Sequence, residues 1–183
     1  MSASALARTL VLALLLTVAG SALAGAAGAK TPPKTAKLFM RGGASVKVNH
    51  WLRIESRFSP GTVTVKAGGK LSVRNKDEEP HTLSFVNRRD LPKKPAAIFG
   101  CDPEQNPSSI CGVIAGWHEF DPATGEPGKP AVDVNAPGID GKGDSWLVNP
   151  GQHETLDVSA KKGANLYFIC AIHAWMQGRL QVR

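Results

Sequence analysis

Short runs of alternating apolar and polar residues, divided by glycine and proline turns, constrain this chain more than any other feature. Thr62-Val63-Thr64-Val65 alternates at period two, as does Leu71-Ser72-Val73-Arg74, with Ala67-Gly68-Gly69 as the turn between them. That period sends successive side chains to opposite faces of a strand. Further strand signals lie at residues 82–86, 145–148, 154–158 and 178–182, with Asn149-Pro150-Gly151 as another turn. Residues 166–170 are almost continuously apolar, which suits a strand buried on both faces. Gly and Pro contribute 19 and 13 of the 183 residues, which favours a turn-rich β architecture over a helix bundle. No internal repeat or heptad pattern is present. The fold expected is all-β, an antiparallel Greek-key sandwich of about seven or eight short strands.

The ends and the middle of the chain read differently. Residues 1–24 have the pattern of a signal peptide: Arg8, an apolar run over 10–18, and the small-residue site Ala22-Leu23-Ala24. Ala27-Gly28-Ala29 offers a second site, so cleavage after Ala24 or Ala29 is expected. The apolar run is short for a transmembrane helix. There is no Arg-Arg pair, so the general secretory route is favoured, and no Cys follows the cleavage sites to accept a lipid. Residues 25–37 read as a flexible tail and 38–183 as one domain. Within it, 88–144 is rich in Pro and Gly and reads as an elaborated loop insertion, with a helical turn or short strand near 110–120. The location expected is secreted or periplasmic.

Charge narrows the partners. The formal net charge is +7, of which Arg8 supplies one. The basic residues are scattered rather than clustered with aromatics, so nucleic acid is not expected as a partner. An acidic protein partner and an anionic membrane surface both remain open. Three cysteines outside the cytosol raise a question of parity. Cys101 and Cys111 are near neighbours in the insertion and make a local disulfide, contributing on the order of 2–3 kcal/mol in the chain-entropy description. Cys170 is left as a free thiol.

The neighbours of Cys170 give it a role. Cys170, His173 and Met176 follow one another as C-x2-H-x2-M. Thiolate and thioether donors select soft metals, imidazole suits copper and zinc, and a His2Cys set with a weak axial Met is an electron-transfer copper arrangement. A second His must come from elsewhere. His81 stands at the start of a strand, after Asn75 and Pro80. His50, His118 and His153 compete for this place but read as surface or packing residues, and Met40 is the alternative thioether.

With these residues in view the sequence resembles the cupredoxin (blue copper) family, in particular its plastocyanin/amicyanin-like group. The C-x2-H-x2-M spacing resembles the amicyanin ligand loop. The segment from Phe58 through Gly68, with Ser59-Pro60-Gly61, resembles the strand and turn before the first ligand, and Asn75 with Pro80-His81-Thr82 resembles the first-ligand motif. The resemblance covers about 58–86 and 145–183. It implies one type 1 copper ion, with His81, Cys170 and His173 as equatorial ligands and Met176 as the axial one. It also implies a backbone N–H near Thr82 directed at the Cys170 sulfur, with His173 nearest the surface as the electron port. The function implied is single-electron transfer between redox protein partners by a monomer, without enzymatic turnover. The rivals are a copper carrier or resistance protein with the same ligands, a copper oxidase or nitrite reductase, and a zinc site. The oxidase would need further His ligands, and structural zinc prefers Cys and His over Met.

Overall fold

The alternating runs form strands in a computed structural model that describes residues 31–124 and 126–183. The proposed signal peptide and both cleavage sites lie outside the described residues. Seven strands precede the insertion: β1 (Thr35–Arg41), β2 (Ala44–Lys47), β3 (Trp51–Ile54), β4 (Arg57–Ser59), β5 (Thr62–Val65), β6 (Lys70–Asn75) and β7 (His81–Val86). The insertion carries helices α1 (Pro95–Phe99) and α2 (Ile110–Trp117) and the short strands β8 (Phe120–Asp121), β9 (Glu126–Pro127) and β10 (Ala131–Val132). Four strands close the chain: β11 (Ser145–Val148), β12 (His153–Asp157), β13 (Asn165–Ile169) and β14 (Gln177–Val182).

One sheet has the order β12-β6-β1-β4 and the other β10-β11-β7-β13-β14-β5. Their facing side chains form one core, in which Leu38, Met40, Leu71 and Val73 meet Leu83, Phe85, Phe168 and Leu180. Phe168 packs edge-on against Phe58 at 4.9 Å and Phe85 at 5.7 Å between ring centroids, a preferred aromatic geometry. The all-β sandwich is as expected, but the pairing is not wholly antiparallel. β1 pairs with β6 and β14 pairs with β5 in parallel. Alternation determines which face a residue takes and carries no information about strand direction.

The tail expected over 25–37 overlaps β1, and this is corrected. Ala36, Leu38 and Met40 alternate inward, and Thr35–Met40 pairs with Lys70–Asn75. Contact with the sheet reaches back before β1, since Lys66 N–H donates to the Pro33 carbonyl at 2.9 Å and Lys70 N–H to that of Lys34 at 2.8 Å.

The insertion closes a second, smaller core. Val86, Cys101, Cys111, Ile114, Ile169, Ala171 and Ala174 pack together. Cys101 and Cys111 are bonded, as expected. Ser109 caps α2, its hydroxyl accepting from Gly112 N–H at 3.1 Å. The insertion thus covers the side of β7 and β13 that faces away from the sandwich core, and all six residues of β7 are buried. The β2–β3 hairpin is the opposite case, exposed at every position.

Candidate metal centre

Strand register brings the site together. β7 and β13 are antiparallel, with Ile169 opposite Ser84, so the start of β7 and the residue after β13 share one end of the sheet. His81 stands at the first position and Cys170 at the second. The loop to β14 folds back on itself: Cys170 N–H donates to the Met176 carbonyl at 3.0 Å, and Met176 N–H to that of His173 at 2.8 Å. Thr82 clamps this loop, its N–H pointing at Cys170 Sγ at 3.4 Å and its hydroxyl accepting from Ala171 N–H at 2.8 Å. The turn before His81 is pinned by buried Asn75. Its amide donates to the carbonyls of Glu79 and Val148 at 2.7 and 2.9 Å, and its Oδ1 accepts from Asp77 N–H at 2.8 Å.

Three donor atoms converge there. Cys170 Sγ lies 3.6 Å from His81 Nδ1 and 3.9 Å from His173 Nδ1, and the two nitrogens are 3.1 Å apart. All three residues are buried. His81 Nε2 is 2.9 Å from Asp77 Oδ2, and His173 Nε2 is 2.8 Å from Glu79 Oε2. A carboxylate can only accept, so each Nε2 carries the donated proton and each Nδ1 is turned inward, where a neutral ring presents its lone pair. Two lone pairs therefore face each other beside a sulfur in a dry place. One thiol proton cannot satisfy both nitrogens, whereas one cation can accept from all three atoms. Met176 is buried in the core beside Cys170 and supplies a thioether to the same end of the sandwich. This donor set fits a soft or borderline metal of the copper type.

The electrostatics fit the same arrangement. Burial pushes the Cys170 thiol up, against the Thr82 N–H that favours the thiolate. Burial also holds His81 below its usual value, with the Asp77 hydrogen bond opposing. Burial alone would raise Asp77, yet hydrogen bonds from His81, Glu78 N–H and the Ser56 hydroxyl keep its carboxyl below the usual value. Burial thus favours the neutral thiol at Cys170 when no metal is bound. Metal uptake must displace the thiol proton.

The structure places the other candidates elsewhere. His50 is exposed, and His153 is exposed with Nε2 2.8 Å from the Ser72 hydroxyl. Met40 is buried in β1. His118 is buried without belonging to the donor cluster. Its Nδ1 lies 2.6 Å from the Lys129 carbonyl and its Nε2 2.7 Å from Ser145 Oγ, which is 2.7 Å from Ser84 Oγ. Ser84 Oγ is in turn 2.9 Å from the Thr82 hydroxyl. The insertion is therefore tied by hydrogen bonds to the residue that clamps the cysteine loop. Burial holds His118 below its usual value, with the Lys129 carbonyl opposing.

The Lys76-Asp77-Glu78-Glu79 run is charged throughout, yet Asp77 is buried and Asp77 and Glu79 orient the two imidazoles. The available signal was an acidic pair two and four residues ahead of a candidate ligand. Ile172, within the ligand loop, is half exposed, whereas Ile169, Ala171 and Ala174 are buried. Trp175 is partly exposed, with its ring edge-on to His173 at 5.1 Å between centroids and its Nε1–H donating to the Ser56 carbonyl at 3.0 Å.

The β-sandwich with His81, Cys170, His173 and Met176 at one end supports a cupredoxin assignment. No protein-family model and no curated protein matches the sequence. Solved structures similar to this chain include a purple cupredoxin from Nitrosopumilus maritimus, at 14% identity and TM-score 0.40, covering 80% of this chain and 98% of that one. Reduced auracyanin from Roseiflexus castenholzii is similar at 15% identity and TM-score 0.41, covering 84% and 99%. Auracyanin A, a blue copper protein from Chloroflexus aurantiacus, is similar at 21% identity and TM-score 0.39, covering 82% and 99%. Likeness at this level leaves the functional argument to the geometry of the side chains.

Proposed function

We propose that this protein is a secreted or periplasmic type 1 copper protein that carries single electrons between redox partners. The observation behind this reading is the buried convergence of His81 Nδ1, His173 Nδ1 and Cys170 Sγ, with 3.1 Å between the two nitrogens. His81, Cys170 and His173 would be the equatorial ligands and Met176 the axial one. Copper held there would supply a Cu(I)/Cu(II) couple.

The protein's own residues prepare the site for that couple. Asp77 and Glu79 fix the two rings through Nε2, so both Nδ1 atoms already face inward before metal arrives. Asn75 and Thr82 fix the turn and the loop that carry them. A rigid frame keeps rearrangement between oxidation states small, which lowers the barrier to electron transfer. The Thr82 N–H draws charge from the Cys170 sulfur and favours the reduced state. His173 is 7% exposed against 0% for His81 and would be the electron port. The Cys101–Cys111 disulfide and the signal-like N-terminal sequence support an oxidising compartment. The net positive charge favours an acidic redox protein as partner, met by a monomer.

Repeated reduction by ascorbate and oxidation by ferricyanide tests this reading on protein loaded with one Cu(II). A thiolate-to-copper band that bleaches and returns with copper retained is expected. Loss of the ion to a chelator on each reduction would favour a copper carrier instead.

A further inference from the structure

We propose that the β2–β3 hairpin is a membrane-docking element that lies against an anionic lipid surface. Its register sorts the side chains into two unlike faces. Ala44 stands opposite Ile54 and Val46 opposite Leu52, so one face is wholly aliphatic, and Val48 extends it into the turn. Ser45 stands opposite Arg53 and Lys47 opposite Trp51, so the other face is polar and cationic with one indole. Among the described residues no sheet or helix covers the aliphatic face: Val46 is 69% exposed, Val48 76% and Leu52 64%. A two-stranded ribbon gains little stability alone, so an apolar face left open on it marks a surface for something else.

Charge points to the occupant. No acidic residue lies between Arg41 and Glu55. Arg41, Lys47, Arg53 and Arg57 stand on or beside the hairpin, against Glu55 alone, which is 3.5 Å from Arg53. A bilayer with anionic headgroups presents an apolar layer and a negative layer a few ångströms apart, which matches the two faces of one thin ribbon. Trp51 suits the boundary between those layers. The unpaired backbone at the ribbon edges limits the depth to the headgroup region, because hydrocarbon leaves such groups unsatisfied.

The root of the hairpin gives this docking a direction. A side chain at Gly42 would place its Cβ 2.3 Å from Asp77 Oδ2 and 2.5 Å from Ser56 Cα, so only glycine allows the strand to leave here. Ser56 also accepts the Trp175 Nε1–H through its carbonyl. The ribbon therefore springs from the end of the sandwich that carries His81 and His173. Docking would bring that end to the membrane, within reach of a membrane-bound partner. The docking itself does not depend on the metal.

Co-sedimentation with vesicles tests the assignment. The probes are phosphatidylcholine alone and equal parts of phosphatidylcholine and phosphatidylglycerol, at low salt. The proteins are the wild-type chain, Val46→Asp/Leu52→Asp and Lys47→Gln/Arg53→Gln, all prepared with the same N-terminus as checked by intact mass. Wild type is expected to prefer the anionic vesicles. The aspartate variant should bind more than tenfold more weakly, and the glutamine variant about fivefold more weakly for each cation removed. Unchanged thermal unfolding and copper uptake in both variants would show that the fold and the metal centre are intact. A missing copper band with normal vesicle binding would count against the metal reading alone. Equal binding by wild type and variants, or no preference for anionic vesicles, would overturn the proposal. A dimer dissolved by Val46→Asp/Leu52→Asp, without vesicle binding, would assign the face to a second copy. Neither binding nor dimerisation would leave the face to an acidic protein. Both of these results overturn the membrane assignment.

Discussion

β7 and the β2–β3 hairpin are made of similar strand-forming residues, yet all of β7 is buried and all of the hairpin is exposed. The difference lies in what covers them. One face of β7 meets the sandwich core and the other meets the insertion, where Val86 joins Ile114, Ile169 and the disulfide. A strand covered on both sides can carry His81, Thr82 and Ser84 in a dry place, but each must then find a partner. They find Asp77, the cysteine loop and Ser145. The hairpin has no such obligation, and its side chains are free to face a surface. Burial, more than strand formation, separates the part of this molecule that can tune a metal from the part that can meet a partner.

Substitutions on the two sides of this contrast should differ widely in effect. Cys170→Ala removes the thiolate and should abolish the intense visible band and most copper affinity, as read by absorption and competition with a chelator. Leu83→Ala, in the centre of β7, should cost about 2–5 kcal/mol in urea unfolding, since it opens a cavity in the main core. His118→Ala should cost about 1–3 kcal/mol, because it leaves the Lys129 carbonyl without its imidazole partner and the Ser145 hydroxyl with Ser84 alone. Leu52→Ala, in the hairpin, should change unfolding by no more than about 0.5 kcal/mol. A loss at Leu52 as large as that at Leu83 would break the comparison, because it would mean that the hairpin is covered in solution.

His118 adds a pH test. Its folded value lies below the usual 6.5, so the unfolded chain binds the proton more readily. Its contribution to stability is complete above about 6.5 and is lost as pH falls from there through the folded value. The metal-free wild type should therefore weaken more on mild acidification than His118→Gln, which removes this contribution and leaves that of His81. Parallel stability profiles for the two proteins would contradict the burial of a neutral His118. At the site itself, Met176→Leu should keep the copper and raise the reduction potential, measured by voltammetry. An unchanged potential would reject Met176 as the axial donor without touching the other ligands.

The parts of the site written in local spacing were legible. C-x2-H-x2-M fits on one strand end and one tight loop, so Cys170, His173 and Met176 could be read together from sequence. Alternation likewise revealed β5, β6 and β14. What depended on distant contacts was not legible. The parallel partners of β1 and β5 could not be read, because a period of two has no direction. Asp77 and Glu79 look like any charged turn until Asn75 ties that turn to Val148 and turns their carboxylates onto the imidazoles. His118 reaches the site through Ser145, Ser84 and Thr82, contacts made only once the insertion has closed on β7 and β11. β1 was mistaken in part for tail because Thr35, Ala36 and Lys37 carry no large apolar side chain.

The central claim is that one copper ion binds to the Cys170 sulfur and two imidazole nitrogens at this end of the sandwich. X-ray absorption at the copper edge, on protein loaded with one Cu(II), tests it most directly. One short copper–sulfur contact with two imidazole nitrogens, absent in Cys170→Ala, is the result predicted. A shell of nitrogen and oxygen alone, identical in wild type and Cys170→Ala, would contradict it.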